Sequence, residues 1–215
     1  MILVVTVSLL VISCSAEIFG NTGGGTLSVE TDPAVQTLDR VPCNQDEGLD
    51  AYIDNGLYTT FDLDIDMDGV QDKVVSSAQN AGNELIFFRN TEKGCRKALV
   101  STNLTEDGGR TLGKIKQEST NGGRDEVLSM ETYFPRGMDV ATHYVSYSGN
   151  EWGLSRTVYE ISDWRDRRNV VYRCEVEQSI SMHELVSEEA VSRVRQIPDQ
   201  SDRDHMCTLQ SPSGT

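Results

Sequence analysis

Between Tyr58 and Ile161, short apolar and β-branched runs alternate with polar turns, and this spacing predicts antiparallel strands. Tyr58-Thr59-Thr60-Phe61 and Lys73-Val74-Val75-Ser76 are strand-like by composition and flank an acidic loop. Asn80-Ala81-Gly82-Asn83 turns the chain into Glu84-Leu85-Ile86-Phe87-Phe88-Arg89, and Thr91-Glu92-Lys93-Gly94 turns it into the run from Cys95 to Ser101. Asp107-Gly108-Gly109 and Asn121-Gly122-Gly123 set off two further runs, Thr111 to Glu118 and Asp125 to Phe134. The clearest hairpin joins His143 to Ser148 and Glu151 to Ser155 through Gly149-Asn150, a two-residue loop whose twist suits a strand pair. Its register sets Tyr147 opposite Trp152 and Val145 opposite Leu154, on a face that belongs to the core.

After Gln178 the period changes. Ser181-Met182-His183-Glu184 has the form of a capping box, and Leu185, Val186, Ala190, Val191 and Val194 follow at helical spacing. One short helix reaching about Gln196, ahead of Pro198, is expected. The fold expected from these patterns is mainly β: an antiparallel β-meander, propeller-like or sandwich-like, with one short C-terminal helix.

The N-terminal end is patterned differently. Residues 1–13 are apolar and uncharged, too short to span a bilayer, and read as an export signal. Val11-Ile12-Ser13-Cys14 resembles the lipobox of bacterial lipoproteins, although no Lys or Arg precedes the apolar run. The resemblance implies lipidation of Cys14. It also implies sorting to the outer membrane, because Ser15 rather than an aspartate follows the cysteine. Residues 14–42 are rich in Gly, Ser, Thr and acid, with Gly23-Gly24-Gly25 at the centre, and read as a flexible tether. The expected domain is 43–197, followed by a polar tail at 198–215.

The richest chemistry lies in Phe61 to Ser76. Asp64, Asp66 and Asp68 alternate with apolar residues, Gly69 follows at once, and Asp72 closes the run. A hard cation such as Ca²⁺ takes six to eight oxygens at about 2.3–2.6 Å, which this spacing can present. The expected ligands are the carboxylates of Asp64, Asp66 and Asp68, the carbonyl of Val70, and Asp72 directly or through water. An EF-hand would need a bidentate Glu where Val75 stands, and helices on both sides. The segment instead resembles the FG-GAP type of repeat, in which DxDxDGxxD leads straight into an apolar strand. Only one copy is present, so a propeller built from such repeats, or a two-copy dockerin, does not fit.

Apart from Cys14, four cysteines remain: Cys43, Cys95, Cys174 and Cys207, an even number suited to an oxidising compartment. Three pairings are possible, and Cys43–Cys95 with Cys174–Cys207 is favoured because each joins neighbours in sequence. A zinc site is disfavoured, since there is no CxxC pair and His143, His183 and His205 do not cluster with the cysteines. His183-Glu184 opens like a zincin helix, but Ser187 occupies the place of the second histidine.

Neither a GxSxG elbow nor a P-loop is present, and the expectation is a protein that is not an enzyme. A glycosidase pair would have to come from Glu118, Asp125, Glu126 and Glu131. The formal net charge of −15 disfavours nucleic acid as a partner and favours steering toward basic proteins. Taken together, the acidic loop, the meander and the hairpin of Tyr147, Gly149, Asn150, Trp152 and Leu154 resemble exported bacterial β-proteins. Among these are periplasmic lysozyme inhibitors and immunity lipoproteins, some of which carry such a calcium loop. The resemblance covers roughly Tyr58 to Ile161. It implies a calcium-stabilised periplasmic lipoprotein that binds a basic cell-wall hydrolase or toxin. The rival expectation is an accessory envelope lipoprotein with no inhibitory partner.

Overall fold

The computed structural model describes residues 43, 48–54, 56–105, 110–120, 125–134, 139–162, 170–186, 188–194 and 196–210. The expected signal, the lipidated Cys14 and the tether therefore lie outside the described residues, as does the end of the expected tail.

The chain is mainly β, in two antiparallel sheets. The first holds β1 (Tyr58–Leu63), β2 (Asp72–Ser77), β3 (Glu84–Thr91) and β4 (Gly94–Thr102) in sequence order. The second runs β5 (Thr111–Thr120), β6 (Asp125–Tyr133), β7 (Val140–Ser148), β8 (Glu151–Ser162) and β9 (Val171–Ser181), and its last neighbour is β10 (Thr208–Gln210). Each sheet is thus a meander, and no closed barrel forms among the described residues. Two short helices complete it, α1 (Glu188–Ser192) and α2 (Arg203–Met206).

One core joins the two sheets. Val74, Leu85, Phe87 and Leu99 from the first sheet pack with Leu128, Met130, Val145, Trp152 and Leu154 from the second. Phe87 and Trp152 meet edge to face at 5.5 Å between centroids, a geometry the ring quadrupoles favour. The first sheet is covered on its other face as well. There Val75, Ile86 and Phe88 pack with Leu49 and the Cys43–Cys95 disulfide, which pins the segment before β1 onto β4. Burial on both faces explains why β2 and β3 carry unbroken apolar runs rather than a clean alternation.

The hairpin is as its sequence predicts. Tyr147 faces Trp152 and Val145 faces Leu154. Gly149 and Asn150 both take positive φ, 60° and 69°, as a two-residue turn of this twist requires. A bulge on β8 leaves Ser155 unpaired between Leu154 and Arg156, which keeps Trp152 and Leu154 on the same face as Thr157 and Tyr159.

The C-terminal part departs from expectation in two ways. Ser181 does not cap a helix: it remains in the sheet opposite Gly153, and its hydroxyl donates to Glu151. The next N–H, that of Met182, donates to the Trp152 carbonyl and continues the pairing past Ser181. Turns follow, and α1 starts only at Glu188. Of the five apolar positions, Leu185, Ala190 and Val194 are buried in the shared core, whereas Val191 is half-buried and Val186 is exposed. The tail is also more ordered than its polarity suggests. The Cys174–Cys207 disulfide and the pairing of Thr208 with Arg173 lay it along β9, with α2 just before.

A buried polar cluster crosses the middle of the second sheet. His143 on β7 is fully inside, with Nε2 3.2 Å from Thr132 Oγ1 and Nδ1 3.1 Å from Thr157 Oγ1. Burial, reinforced by the Arg110 charge, drives its pKa down to about 3. The neutral ring is therefore the folded form, while the unfolded chain takes up a proton near pH 6.5. The associated stability is complete above about pH 6.5 and is lost as pH falls toward 3, at up to about 1.4 kcal/mol per pH unit. Urea denaturation of the native chain and His143→Gln at pH 7.5 and pH 5 checks this. The native chain is expected to lose about 2 kcal/mol more than the variant across that interval; parallel losses would show that His143 is not the titrating group.

Candidate metal centre

The acidic loop is residues 64–71, the connection of the β1–β2 hairpin, whose last pair is Leu63 with Asp72. Its shape follows from short-range bonds between aspartates and backbone. Asp64 accepts from the N–H of Asp68 at 3.1 Å and of Gly69 at 2.7 Å, drawing the loop into a tight coil. Asp68 Oδ1 accepts from the N–H of Val70 at 2.9 Å. Gly69 has φ +84°, a left-handed conformation that suits a residue without Cβ.

Asp72 anchors the loop from inside. It is buried and accepts from Asn90 N–H at 2.6 Å through Oδ1 and from Ile65 N–H at 3.0 Å through Oδ2. One carboxylate thereby ties the start of the loop to the far end of β3. Burial pushes its carboxyl up to about 7 against the lowering effect of those two N–H bonds, and the charges of Asp66 and Asp68 add to the rise. Asp66 is also buried, and desolvation and the Asp68 charge hold it above the ordinary carboxylate range, with Arg89 pulling the other way.

Three of the expected ligands converge. Asp64, Asp66 and Asp72 each offer an oxygen, all within 4.8 Å of one another. Oxygens on opposite sides of a calcium ion lie about 5 Å apart, so the spacing suits such a cation. The donor set consists of hard oxygens, as Ca²⁺ prefers. Asp66 supplies a second indication: its Oδ1 is buried and accepts no hydrogen bond. Its Oδ2 is ion-paired with Arg89 Nε. A buried carboxylate oxygen without a donor is costly, and a cation beside it would remove that cost. Asp68 is exposed and lies outside the trio, its Oδ1 turned to the Val70 N–H.

Two residues at this site were not legible as such in the sequence. Arg89, at the end of an apolar strand, reaches the loop only because β3 pairs with β2. Trp152 donates from Nε1 to the Ile65 carbonyl at 3.2 Å and so fixes the loop to the second sheet. Neither contact has a local signal, since Ile65 and Trp152 are 87 positions apart.

Among the glycosidase candidates, the environment of Glu118 is defined. Glu118 on β5 is ion-paired with Lys116 and accepts from Ser129 Oγ at 3.0 Å. Burial pushes its carboxyl up, but the bonds from Lys116 and Ser129 outweigh that and hold it below the ordinary value. A glycosidase general acid needs the opposite shift.

If Trp152 holds the loop, Trp152→Phe keeps the ring packing and leaves the Ile65 carbonyl without its donor. The expected loss, measured by urea denaturation in EDTA, is about 1–3 kcal/mol; an unchanged midpoint would show that the bond contributes nothing. Comparison with known protein families, with curated proteins and with solved structures gave no match for this chain.

Proposed function

We propose that this chain is a calcium-stabilised, exported β-sandwich lipoprotein whose task is to bind a protein partner. The observation that carries the calcium reading is the convergence of Asp64, Asp66 and Asp72 around the buried, unpartnered Oδ1 of Asp66. The ion would be held by those three carboxylates, with the Val70 carbonyl added as the DxDxDGxxD pattern implies; Asp68, turned to the Val70 N–H, would have to swing round to join them. It would supply positive charge where the fold has buried negative charge. Its role is structural, because the loop joins two strands and is fixed to both sheets.

Two disulfides in the described residues support export to an oxidising compartment. The charge of −15 supports a basic partner, since one calcium offsets only two units and the remaining field would steer cationic proteins. The sharpest form of the proposal is an inhibitor or immunity protein against a basic peptidoglycan hydrolase or toxin, anchored to the outer membrane through Cys14.

Thermal unfolding in calcium and in EDTA tests the ion. At tenfold excess over Kd the ion stabilises by about 1.4 kcal/mol, which is a rise of roughly 3–5 °C for a domain of this size. That rise is expected for the native chain and is expected to vanish in Asp66→Ala; a native chain indifferent to calcium would overturn the assignment. Affinity capture from periplasmic extracts, in calcium and in EDTA, tests the partner. Recovery of a peptidoglycan hydrolase that weakens in EDTA is the expected result, whereas recovery of envelope-assembly proteins would favour an accessory lipoprotein.

A further inference from the structure

A cavity of about 770 Å³ lies against the second sheet, away from the acidic loop. This is within the roughly 300–1,000 Å³ range of small-molecule sites. Its wall is mixed, with a hydrocarbon part from Leu104, Ala141, Leu185, Val191, Val194 and Ile197 beside polar groups. Leu104 follows β4, Ala141 lies on β7, and the others come from the α1 segment and the chain on either side of it, so the cavity is walled largely by the C-terminal part.

Among the described residues, one charged group in the wall keeps an N–H without an acceptor. Arg110 lines the cavity, its guanidinium 4.4 Å from the centroid of the Phe134 ring, and its buried Nη1 makes no hydrogen bond. An arginine N–H withdrawn from water without an acceptor is costly. The chain carries 34 acidic and 19 basic residues, so a carboxylate partner within the protein would be easy to provide. The other ionisable groups on the wall are His143, Asp139 and Arg203. His143 is neutral, with both ring nitrogens engaged by threonines. Asp139 and Arg203 offset each other, and the wall keeps a net single positive charge at Arg110.

We propose that this cavity binds a singly charged anionic amphiphile, an acyl carboxylate, whose head group is taken by Arg110 and whose chain lies along the apolar wall. Phe134 holds the guanidinium over its ring, and the unbonded Nη1 can donate to a carboxylate. Asp139 in the same wall disfavours a doubly charged phosphate head.

Isothermal titration of the full chain with decanoate and with decanol, each below its aggregation limit, tests this. The expected result is saturable one-to-one binding of decanoate, at least tenfold tighter than that of decanol. Arg110→Gln is expected to abolish the preference while decanol binding persists. Val191→Trp, which fills the cavity, is expected to weaken both ligands at least tenfold and guards against an Arg110→Gln chain that fails to fold. Absence of saturable decanoate binding, equal affinity for acid and alcohol, or a preference that survives in Arg110→Gln would each overturn the proposal.

Discussion

The structure depends on burying carboxylates at the junction of two sheets. Asp72 is inside the protein and holds the N–H groups of Ile65 and Asn90, while Asp66 is inside and is ion-paired with Arg89. Unfolded, both would be hydrated and ionised near neutral pH. Folded, burial raises both above the ordinary carboxylate range, so the loop is a place where the fold works against its own solvation. The tension is placed where packing is strongest. Trp152, which donates to the Ile65 carbonyl, is also the ring that meets Phe87 across the sandwich. A cation at Asp64, Asp66 and Asp72 would convert that tension into cohesion and make the β1–β2 connection part of the core.

The two disulfides serve the same architecture from its ends. Cys43–Cys95 closes the outer face of the four-stranded sheet, and Cys174–Cys207 lays the C-terminal segment along β9. Each encloses a long stretch of chain, 52 and 33 residues, where loop-closure entropy in the unfolded state is large. The second bridge has a further consequence: it helps hold the C-terminal segment that walls the cavity beside Arg110. The acidic loop and the cavity are therefore separate, one built by β1 to β3 and the other largely by β7 and the C-terminal segment.

Much of this was legible in the sequence where local pattern and tertiary role coincide. The Gly149-Asn150 turn fixes its own register, so Tyr147–Trp152 and Val145–Leu154 could be paired before any coordinates. Asp64, Asp66 and Asp72 could be read as one cluster because the loop itself brings them together. Asp68 could not be separated from them by spacing alone, since only its bond to the Val70 N–H turns it away. The start of the helix was misplaced because Ser181 has two competing uses, and strand pairing with Gly153 wins over capping. Arg89, Trp152 and Arg110 are invisible as site residues for a different reason: each acts through a contact that only the folded sheets create.

The calcium assignment is tested most directly by terbium luminescence, because Tb³⁺ replaces Ca²⁺ at oxygen sites and Trp152, bonded to the Ile65 carbonyl beside Asp64 and Asp66, is placed to sensitise it. Excitation of tryptophan is expected to give terbium emission that saturates at one ion per chain and is displaced by calcium. It is expected to be lost in Asp66→Ala and weakened in Trp152→Phe. Absence of sensitised emission, or emission that persists in Asp66→Ala, would contradict a cation at the Asp64, Asp66 and Asp72 cluster.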